Sequence, residues 1–385
     1  MTHVWWSLVS ILASGLAASF VATALRGRIP EVVVMLAFGI AIGPHALGLA
    51  SFGSEVDILR ELGLGMLFLL AGYEIDPNEL RGRTGRRATL TWLVCLALAF
   101  ALVFGLAAAG AVTAEVAVAI ALTSTAIGTL LPILTDNELT ETRLGRVVVS
   151  HGAIGEIGPV VAMSVLLGAR GALAELIALA GFVVAALVVW LVHRRLAASA
   201  LGAVVARGLE TTSQTPVRAV VVLLVLLLAV ASSFDLDIIL GAFAAGFILR
   251  TIAPDDAPVL ESKLGAIGYG LLVPVFFVGA GMAIDLRAVA AHPWLPLIFV
   301  GLILLVRGLP VFLVERSFAV RDRVRIALFA STGLPIVVAV TQVAVAAGEM
   351  SGENASVLVF GGAVTVLVLP SLALALGGRR EVSPR

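Results

Sequence analysis

The chain alternates long apolar runs with short polar or charged interruptions over nearly its whole length. Many of these runs reach 18 residues or more, which is enough for one helix to cross the hydrocarbon core of a bilayer. The pattern predicts an all-α polytopic membrane protein with about 13 transmembrane helices. The predicted spans are roughly 5–25, 30–50, 57–75, 88–111, 114–135, 144–169, 172–192, 216–232, 235–250, 265–283, 293–314, 324–347 and 354–377.

Composition supports this class of protein. Hydrophobic residues make up 60% of the chain and charged residues 13%, whereas a soluble domain carries about 25% charged residues. A single cysteine, Cys95, excludes a disulfide framework. No motif points to a cofactor or to nucleic acid. We also expect no covalently linked regulatory domain, because only a short polar tail follows residue 378.

Basic residues are concentrated in alternate loops. With the N-terminus outside, all of them except Arg60, Arg170, Arg287 and Arg307 fall in cytoplasmic loops or in the C-terminal tail. The positive-inside rule therefore predicts a multi-pass protein of the cell membrane with a cytoplasmic C-terminus. The longest loop, 193–215, has near-helical spacing of apolar residues among arginines. It is either an amphipathic helix on the cytoplasmic surface or a plain linker.

Two distant parts of the chain resemble each other in the same order. "LAF" (36–38), "FLLAGYEID" (68–76) and "ALTST" (121–125) match "GAF" (241–243), "FVGAGMAID" (277–285) and "LFAST" (328–332). An odd number of predicted spans separates each pair, so the pattern predicts two inverted-topology repeats, as in secondary transporters. The predicted segments are a first repeat at 1–169, a linker span with its loop at 170–215, a second repeat at 216–378 and a tail at 379–385.

Matching spans of the two predicted repeats are interrupted in matching places. "LTSTAIGTLLP" (122–132) and "ASTGLP" (330–335) combine hydroxyls, glycine and proline within apolar runs. They predict paired broken helices, because unwound backbone inside a membrane is tolerated where it is buried in protein or lines a wet cavity. The hydroxyls either bind a hard monovalent cation or bond back to their own helices. The candidates are Thr123, Ser124, Thr125, Ser331 and Thr332, with Thr129 and Gln342 as accessory positions.

Three ionisable residues lie well inside predicted spans. Glu156 is the only carboxylate between Arg146 and Arg170, about 15 Å into its span. A carboxylate at that depth is a candidate site for Na⁺ or K⁺ and for a proton. Arg307 is a candidate buried partner for an acid or for the broken helices, and the alternative is snorkelling to the interface. His151 is about 140° around the helix from Glu156, so a packing hydrogen bond is favoured over a proton relay.

Four sequence stretches resemble the monovalent cation:proton antiporter-2 family, which contains the Kef-type and Nap-type exchangers. They are "ELGLGMLFLLAGYEIDPNELR" (61–81), "LTSTAIGTLLPIL" (122–134), "GAFAAGFIL" (241–249) and "PVFFVGAGMAIDLRAV" (274–289). The resemblance covers essentially all the predicted spans. It implies a core domain with two crossed, broken helices that moves against a dimerisation domain, and a homodimer.

The resemblance also implies roles for particular residues. In the family, an acidic residue in the span after the first broken helix carries the ion or the proton, commonly within Asp-Asp or Gln-Asp. The aligned pair here is Gly155-Glu156, so the first acid is missing and the second is Glu. Arg307 stands where family members carry a buried Lys or Arg.

These features predict a secondary antiporter that exchanges Na⁺ or K⁺ for H⁺ by alternating access. One titrating carboxylate, with an arginine that cannot release its proton, predicts one-for-one electroneutral exchange. A second titrating group at His151 would make the exchange electrogenic. The rival functions are a gated cation channel and a proton-coupled exporter of an organic solute, and neither predicts obligatory exchange of a metal cation for a proton.

Overall fold

The computed structural model describes residues 2–25, 29–75, 82–110, 112–168, 172–197, 214–252 and 257–377. All regular elements among them are helical. In chain order they are α1 (Thr2–Ala24), α2 (Glu31–Ile42), α3 (Ser54–Glu74), α4 (Arg83–Ala108), α5 (Glu115–Leu122), α6 (Ile127–Asp136), α7 (Arg143–Leu166), α8 (Ala172–Ala197), α9 (Thr215–Ser233), α10 (Ile238–Ile252), α11 (Ala257–Ile267), π1 (Gly268–Leu272), α12 (Val273–Met282), α13 (Leu286–Ala291), α14 (Trp294–Ile303), π2 (Leu304–Gly308), α15 (Leu309–Val314), α16 (Val320–Ala330), α17 (Leu334–Ala346) and α18 (Gly352–Ala375).

Ten helical segments of the described chain are long and apolar enough to cross a membrane. Two of them, Glu115–Asp136 and Val320–Ala346, contain the predicted breaks. Helices α2 and α10 are apolar but shorter. The prediction of an all-helical polytopic chain is confirmed at this level. Residues 198–213 of the predicted surface loop and the tail 379–385 lie outside the described residues.

The chain forms two compact units, and each draws on distant parts of the sequence. The first contains Met1–Leu16, Gly48–Pro77 and Val160–Gly279, and the second contains Ala17–Leu47, Asn78–Pro159 and Ala280–Arg385. All the candidate site residues from the sequence fall in the second unit. Its apolar packing includes Leu130, Leu134, Val148, Val311, Ile326 and Phe329, all fully buried.

Helices α3 and α10 pack closely within the first unit. Their approach requires glycine at position 246, because a Cβ there would collide with the backbone carbonyl of Leu69. Both helices carry small residues around the contact, as is typical of helices that associate inside membranes. The sequence "GAFAAGF" is thus explained by backbone-to-backbone packing.

Each π turn comes shortly before a proline. Proline cannot donate a helical hydrogen bond, and its ring clashes with the carbonyl four residues earlier. The widened turns accommodate Pro274 and Pro310: Val273 donates its N–H to the Gly268 carbonyl, and Leu309 donates to the Leu304 carbonyl, each five residues back. The second of these turns contains Arg307. A π turn often marks a functional segment of a helix.

We predict that Gly246→Ala destabilises the protein, because the new methyl group must displace the α3 backbone. Overpacking of this kind costs about 1–3 kcal/mol. The apparent melting temperature in detergent should fall. The matched control is Gly105→Ala in α4, where a Cβ would meet no neighbouring atom and alanine favours the helix. Equal melting temperatures for the two variants would contradict this account of the α3–α10 contact.

Candidate ion and proton site

The two broken helices of the second unit are joined at their breaks. The first break separates α5 from α6 at residues 123–126, and the second separates α16 from α17 at 331–333. Ala126 donates its backbone N–H to the Thr332 carbonyl at 2.6 Å. Ser124 Oγ donates to the Gly333 carbonyl at 3.2 Å, and the Thr125 hydroxyl donates to the Ala330 carbonyl. The polar groups freed by one break are therefore partly satisfied by the other.

A proline in α7 supplies a further partner for the first break. Pro159 has no N–H, so it cannot donate to the carbonyl of Gly155 four residues earlier. The Gly155 carbonyl instead accepts the backbone N–H of Thr125 at 2.8 Å. The irregularity in α7 and the unwound segment thus satisfy each other. This pairing holds α7 against the first break at the level of Glu156.

Glu156 lies in α7 with its carboxylate at the N-terminus of α6. Its side chain is 2% exposed. The backbone N–H of Ile127, the first residue of α6, donates to Glu156 Oε2 at 3.1 Å. The N-terminus of a helix carries partial positive charge and unsatisfied N–H groups, so it favours an anionic partner. A deeply buried carboxylate is thereby held at a break in the membrane-spanning backbone.

The predicted hydroxyl ligands gather at the same breaks and are fully buried. Several of them bond back to their own helices. Thr123 donates to the Ile120 carbonyl at 2.8 Å, and Ser331 donates to the Ala327 carbonyl at 2.8 Å. Each hydroxyl oxygen still has lone pairs that can accept a hydrogen bond or coordinate a cation. Thr332 and Ser124 also donate to carbonyls of the preceding turn.

Two accessory candidates are less buried than the hydroxyls at the breaks. Thr129 is in the first turn of α6 and is half-buried. Gln342 lies near the far end of α17, also half-buried. The structure therefore brings together Thr123, Ser124, Thr125, Ser331, Thr332 and Glu156, whereas Gln342 stands apart from them.

Arg307 is fully buried and reaches into the first break from π2. Its Nε donates to Thr125 Oγ1 at 3.0 Å, and its Nη2 donates to the backbone carbonyl of His151 at 2.6 Å. Its Nη1 lies 3.9 Å from Cys95 Sγ. The guanidinium thus bonds to the first broken helix and to α7. This geometry differs from snorkelling, in which the charge would extend to the interface.

His151 is paired with an acid that the sequence did not single out. Its Nε2 lies 3.2 Å from Oε1 of Glu315, and Glu315 Oε2 accepts from Arg87 at 3.2 Å. Glu315 follows the end of α15 and is 1% exposed. Burial acts to raise the pKa of the Glu315 carboxyl, but the His151 bond and the Arg87 charge hold this pKa below its usual value. His151 therefore contacts Glu315, on the opposite side of α7 from Glu156.

Glycine at position 155 makes room for the arginine. A Cβ at this position would collide with Thr125 Oγ1 and with Arg307 Nη2. The space that an Asp or Gln side chain would need is thus filled by the guanidinium and the threonine hydroxyl. The departure from the acidic or amide residue expected by resemblance has a steric reason in this chain.

Glu315, Arg87 and Pro159 were missed by reasoning from the sequence. Glu315 and Arg87 stand at predicted span ends, where charged residues are ordinary. Pro159 had a usable signal, since a proline inside a long apolar helix always frees the carbonyl four residues earlier. The identity of the acceptor, Gly155, follows from that rule. The identity of the donor, Thr125, required the tertiary structure.

These observations define a multi-pass helical membrane protein in which two broken helices bond to each other beside a buried carboxylate and a buried guanidinium. A family model described as "Sodium/hydrogen exchanger, transmembrane" matches residues 9–375. The chain belongs to this family. The resemblance to cation:proton antiporters predicted from the sequence is confirmed.

Two relatives carry names that refer to the transport of monovalent cations. The chain is 25% identical over 301 residues to a putative Na⁺/H⁺ antiporter, YjbQ, of Bacillus subtilis, covering 73% of this chain and 47% of the relative. It is 28% identical over 388 aligned positions to the glutathione-regulated potassium-efflux system protein KefC of Klebsiella pneumoniae, covering 95% of this chain and 60% of the relative. The chain thus spans about half to three-fifths of the length of these relatives.

A solved structure shares the fold. It is the sodium proton antiporter MjNhaP1 from Methanocaldococcus jannaschii, with a TM-score of 0.66 and 20% sequence identity. The match covers 97% of this chain and 98% of that protein. At this level of identity the likeness concerns the fold alone.

We predict that Arg307→Met lowers the stability of the protein. The substitution removes the hydrogen bonds that the guanidinium donates to the His151 carbonyl and the Thr125 hydroxyl, and a hydrogen bond from a charged group contributes about 1.5–3 kcal/mol. The measurement is the apparent melting temperature in detergent. The control is Arg316→Met, an exposed arginine shortly after the same helix, where we expect a change within about 0.5 kcal/mol. An Arg307 variant as stable as this control would show that its bonds do not hold the break.

Proposed function

We propose that this chain exchanges a monovalent cation, Na⁺ or K⁺, for a proton by alternating access, with Glu156 as the shared binding group. The observation that carries the proposal is the position of this carboxylate. It is buried, it accepts the first N–H of α6, and it stands beside the hydroxyls of the first break. Discontinuous helices of this kind form the substrate sites of secondary transporters.

The family and the named relatives support this class of substrate. One relative is named for sodium/proton exchange and another for potassium efflux. Sodium and potassium are both bound by oxygen ligands, and the breaks offer carboxylate, hydroxyl and carbonyl oxygens. Nothing in the ligand types favours one cation, so we propose exchange of either Na⁺ or K⁺.

Competition between a proton and a cation at Glu156 would supply the coupling. A carboxylate neutralised by a proton and a carboxylate neutralised by a monovalent cation carry the same net charge. The empty, ionised site is the costly state inside the membrane. The carrier is therefore expected to change its accessible side when loaded with either ion. Exchange, and not uniport, follows from this constraint.

The surroundings of Glu156 support a one-for-one stoichiometry. Gly155 provides no second acid, and Arg307 keeps its proton under all ordinary conditions. His151, the other candidate proton carrier, faces Glu315 and its Arg87 partner. One titrating group at the breaks would carry one proton or one cation in each half-cycle.

We extend the proposal to the membrane topology and assembly of the chain. Helices α2, α3 and α10, together with the ten longer apolar segments, support 13 crossings. We propose that 1–169 and 216–378 are inverted repeats joined by 170–215, with the N-terminus outside and the C-terminus cytoplasmic in the cell membrane. The exposed apolar residues on α1, among them Trp5, Val9 and Phe20, support a homodimer.

A cation channel and a proton-coupled exporter of an organic solute are the rival functions. Proteoliposomes containing a pH-sensitive dye distinguish them. Addition of Na⁺ or K⁺ should release protons from acid-loaded vesicles if the chain is a cation:proton antiporter. A channel would pass cation current without obligatory proton movement, and an exporter of organic solutes would give no proton flux with either cation.

We predict that Glu156→Gln abolishes cation-dependent proton flux in this assay. Glutamine keeps the size of the side chain and can accept the Ile127 N–H, but it cannot bind a proton or neutralise a cation. Glu156→Asp should keep part of the activity, because it keeps the carboxylate. Glu141→Gln, at an exposed carboxylate of the same unit, is the control and should exchange at the wild-type rate. Wild-type exchange by Glu156→Gln would remove Glu156 from the mechanism.

We also predict that the exchange rate is independent of membrane potential. Movement of one net charge through 100 mV would contribute about 2.3 kcal/mol, which is easily detected. The measurement is Na⁺-driven proton flux with the potential set by a gradient of a membrane-permeant lipophilic ion, since K⁺ is itself a proposed substrate. Acceleration by the potential would demonstrate a second proton carrier. If His151 were that carrier, His151→Gln would remove the acceleration.

A further inference from the structure

An apolar groove follows the outer surface of α4 in the second unit. It has a volume of about 390 Å³ and is lined by Leu90, Thr91, Val94 and Val314, with Arg83, Arg86 and Arg87 at one end. Leu90 and Val94 are 55% and 57% exposed. Arg83, Arg87, Leu90 and Val94 are spaced by four, three and four residues, so they share one face of the helix. Seven residues separate Arg83 from Leu90, which places Leu90 about 10 Å deeper along α4.

A polar pocket of about 360 Å³ adjoins this groove and shares Arg87 with it. Arg143, Arg146, Val147 and Ser150 line it from one face of α7, and Gly82, Thr84, Glu315, Ser317 and Phe318 complete it. The Arg146 side chain has no hydrogen bond or ion pair with any described residue, and the Arg143 guanidinium lies over the Phe318 ring at 4.6 Å. Among the described lining residues, positive charge therefore exceeds negative charge.

Among the described residues that line the pocket, the single carboxylate, Glu315, is already paired. Glu315 is 1% exposed and accepts from Arg87 while contacting His151. Arg143 and Arg146 are left to attract an anion. The same excess of positive charge repels Na⁺ and K⁺, so this pocket is poorly suited to admit the transported cation. The ligand of this pocket is therefore expected to be an anion.

The two cavities together match an amphiphile with an anionic head. The groove is apolar and open to the side on which α4 would face lipid, and its charged end coincides with the start of a predicted span. We propose that the groove and the pocket form a binding site for one anionic phospholipid. An acyl chain lies along Leu90 and Val94, and the phosphate lies past the Arg87–Glu315 ion pair, between Arg143 and Arg146.

The charge of the arginines sets the expected size of the effect. A basic residue near the surface of an anionic membrane contributes about 1 kcal/mol of attraction. Removing both Arg143 and Arg146 should thus weaken lipid binding about 30-fold, because two residues contribute about 2 kcal/mol together and each 1.4 kcal/mol changes affinity tenfold. Both side chains are exposed, so the double variant is expected to fold normally.

The test is native mass spectrometry of the full chain, titrated in detergent with phosphatidylglycerol or with phosphatidylcholine of the same acyl chains. Wild-type protein should bind phosphatidylglycerol at least tenfold more tightly than phosphatidylcholine. Arg143→Gln with Arg146→Gln should lose about 30-fold in phosphatidylglycerol affinity. Leu90→Trp, which fills the groove, should also weaken binding of the lipid. Melting temperatures equal to wild type would establish that these variants are folded.

The matched control removes two exposed arginines outside both cavities, Arg316→Gln with Arg321→Gln. It should bind phosphatidylglycerol within about twofold of wild type. Equal binding of the two lipids, or an equal loss in the control, would overturn the proposal. Binding of inorganic phosphate that survives Leu90→Trp would assign the pocket to a free anion. A change from dimer to monomer in Leu90→Trp without loss of lipid would assign the groove to a second copy of the chain.

Discussion

Two helices of the second unit stop inside an apolar interior, and the peptide groups freed there must find partners within the protein. Water is scarce at that depth, so each unsatisfied group would cost several kcal/mol. The two breaks satisfy each other's polar groups. The Ala126 N–H donates to the Thr332 carbonyl, and the Ser124 hydroxyl donates to the Gly333 carbonyl. The remaining features of the site, from Glu156 to Arg307, are arranged around this exchange of backbone hydrogen bonds.

The same constraint explains why α7 is irregular beside the first break. Pro159 leaves the Gly155 carbonyl free, and Thr125 donates to it. Gly155 has no side chain, so Arg307 can approach and bond to Thr125 and to the carbonyl of His151. The Arg307 guanidinium and the Glu156 carboxylate therefore both bond to the first break or to the residue that follows it. The arginine cannot give up its proton, so the proposed exchange assigns the titration to the carboxylate.

Much of this arrangement could be predicted from the sequence, and the reasons are specific. The apolar runs identify helices directly, and paired Ser/Thr, Gly and Pro residues mark the two breaks because such residues weaken a helix wherever they cluster. Glu156 and Arg307 stand out because charges are rare inside apolar spans. The class of protein follows from these patterns and agrees with the family to which the chain belongs.

Other features depend on which elements meet, and a single sequence does not contain that information. Helical spacing in the sequence already indicates that His151 points away from Glu156. That His151 contacts Glu315 could not be predicted, because this contact depends on how α7 packs against the end of α15. In the sequence, Gly155 stands where related proteins commonly carry an acidic or amide residue. The structure shows that glycine at this position leaves space for the guanidinium of Arg307. The two units also cross the boundaries of the predicted repeats, because compactness depends on contacts and not on chain order.

In the proposed mechanism, a proton and a monovalent cation compete for one buried carboxylate, Glu156. The most direct test is calorimetric titration of the detergent-solubilised protein with Na⁺ and with K⁺, in two buffers of different ionisation enthalpy and over a range of pH. If the two ions compete, binding of one of these cations should release protons, approaching about one per cation as the pH is lowered, while the cation affinity weakens. Cation binding whose affinity is independent of pH and which releases no proton would contradict it.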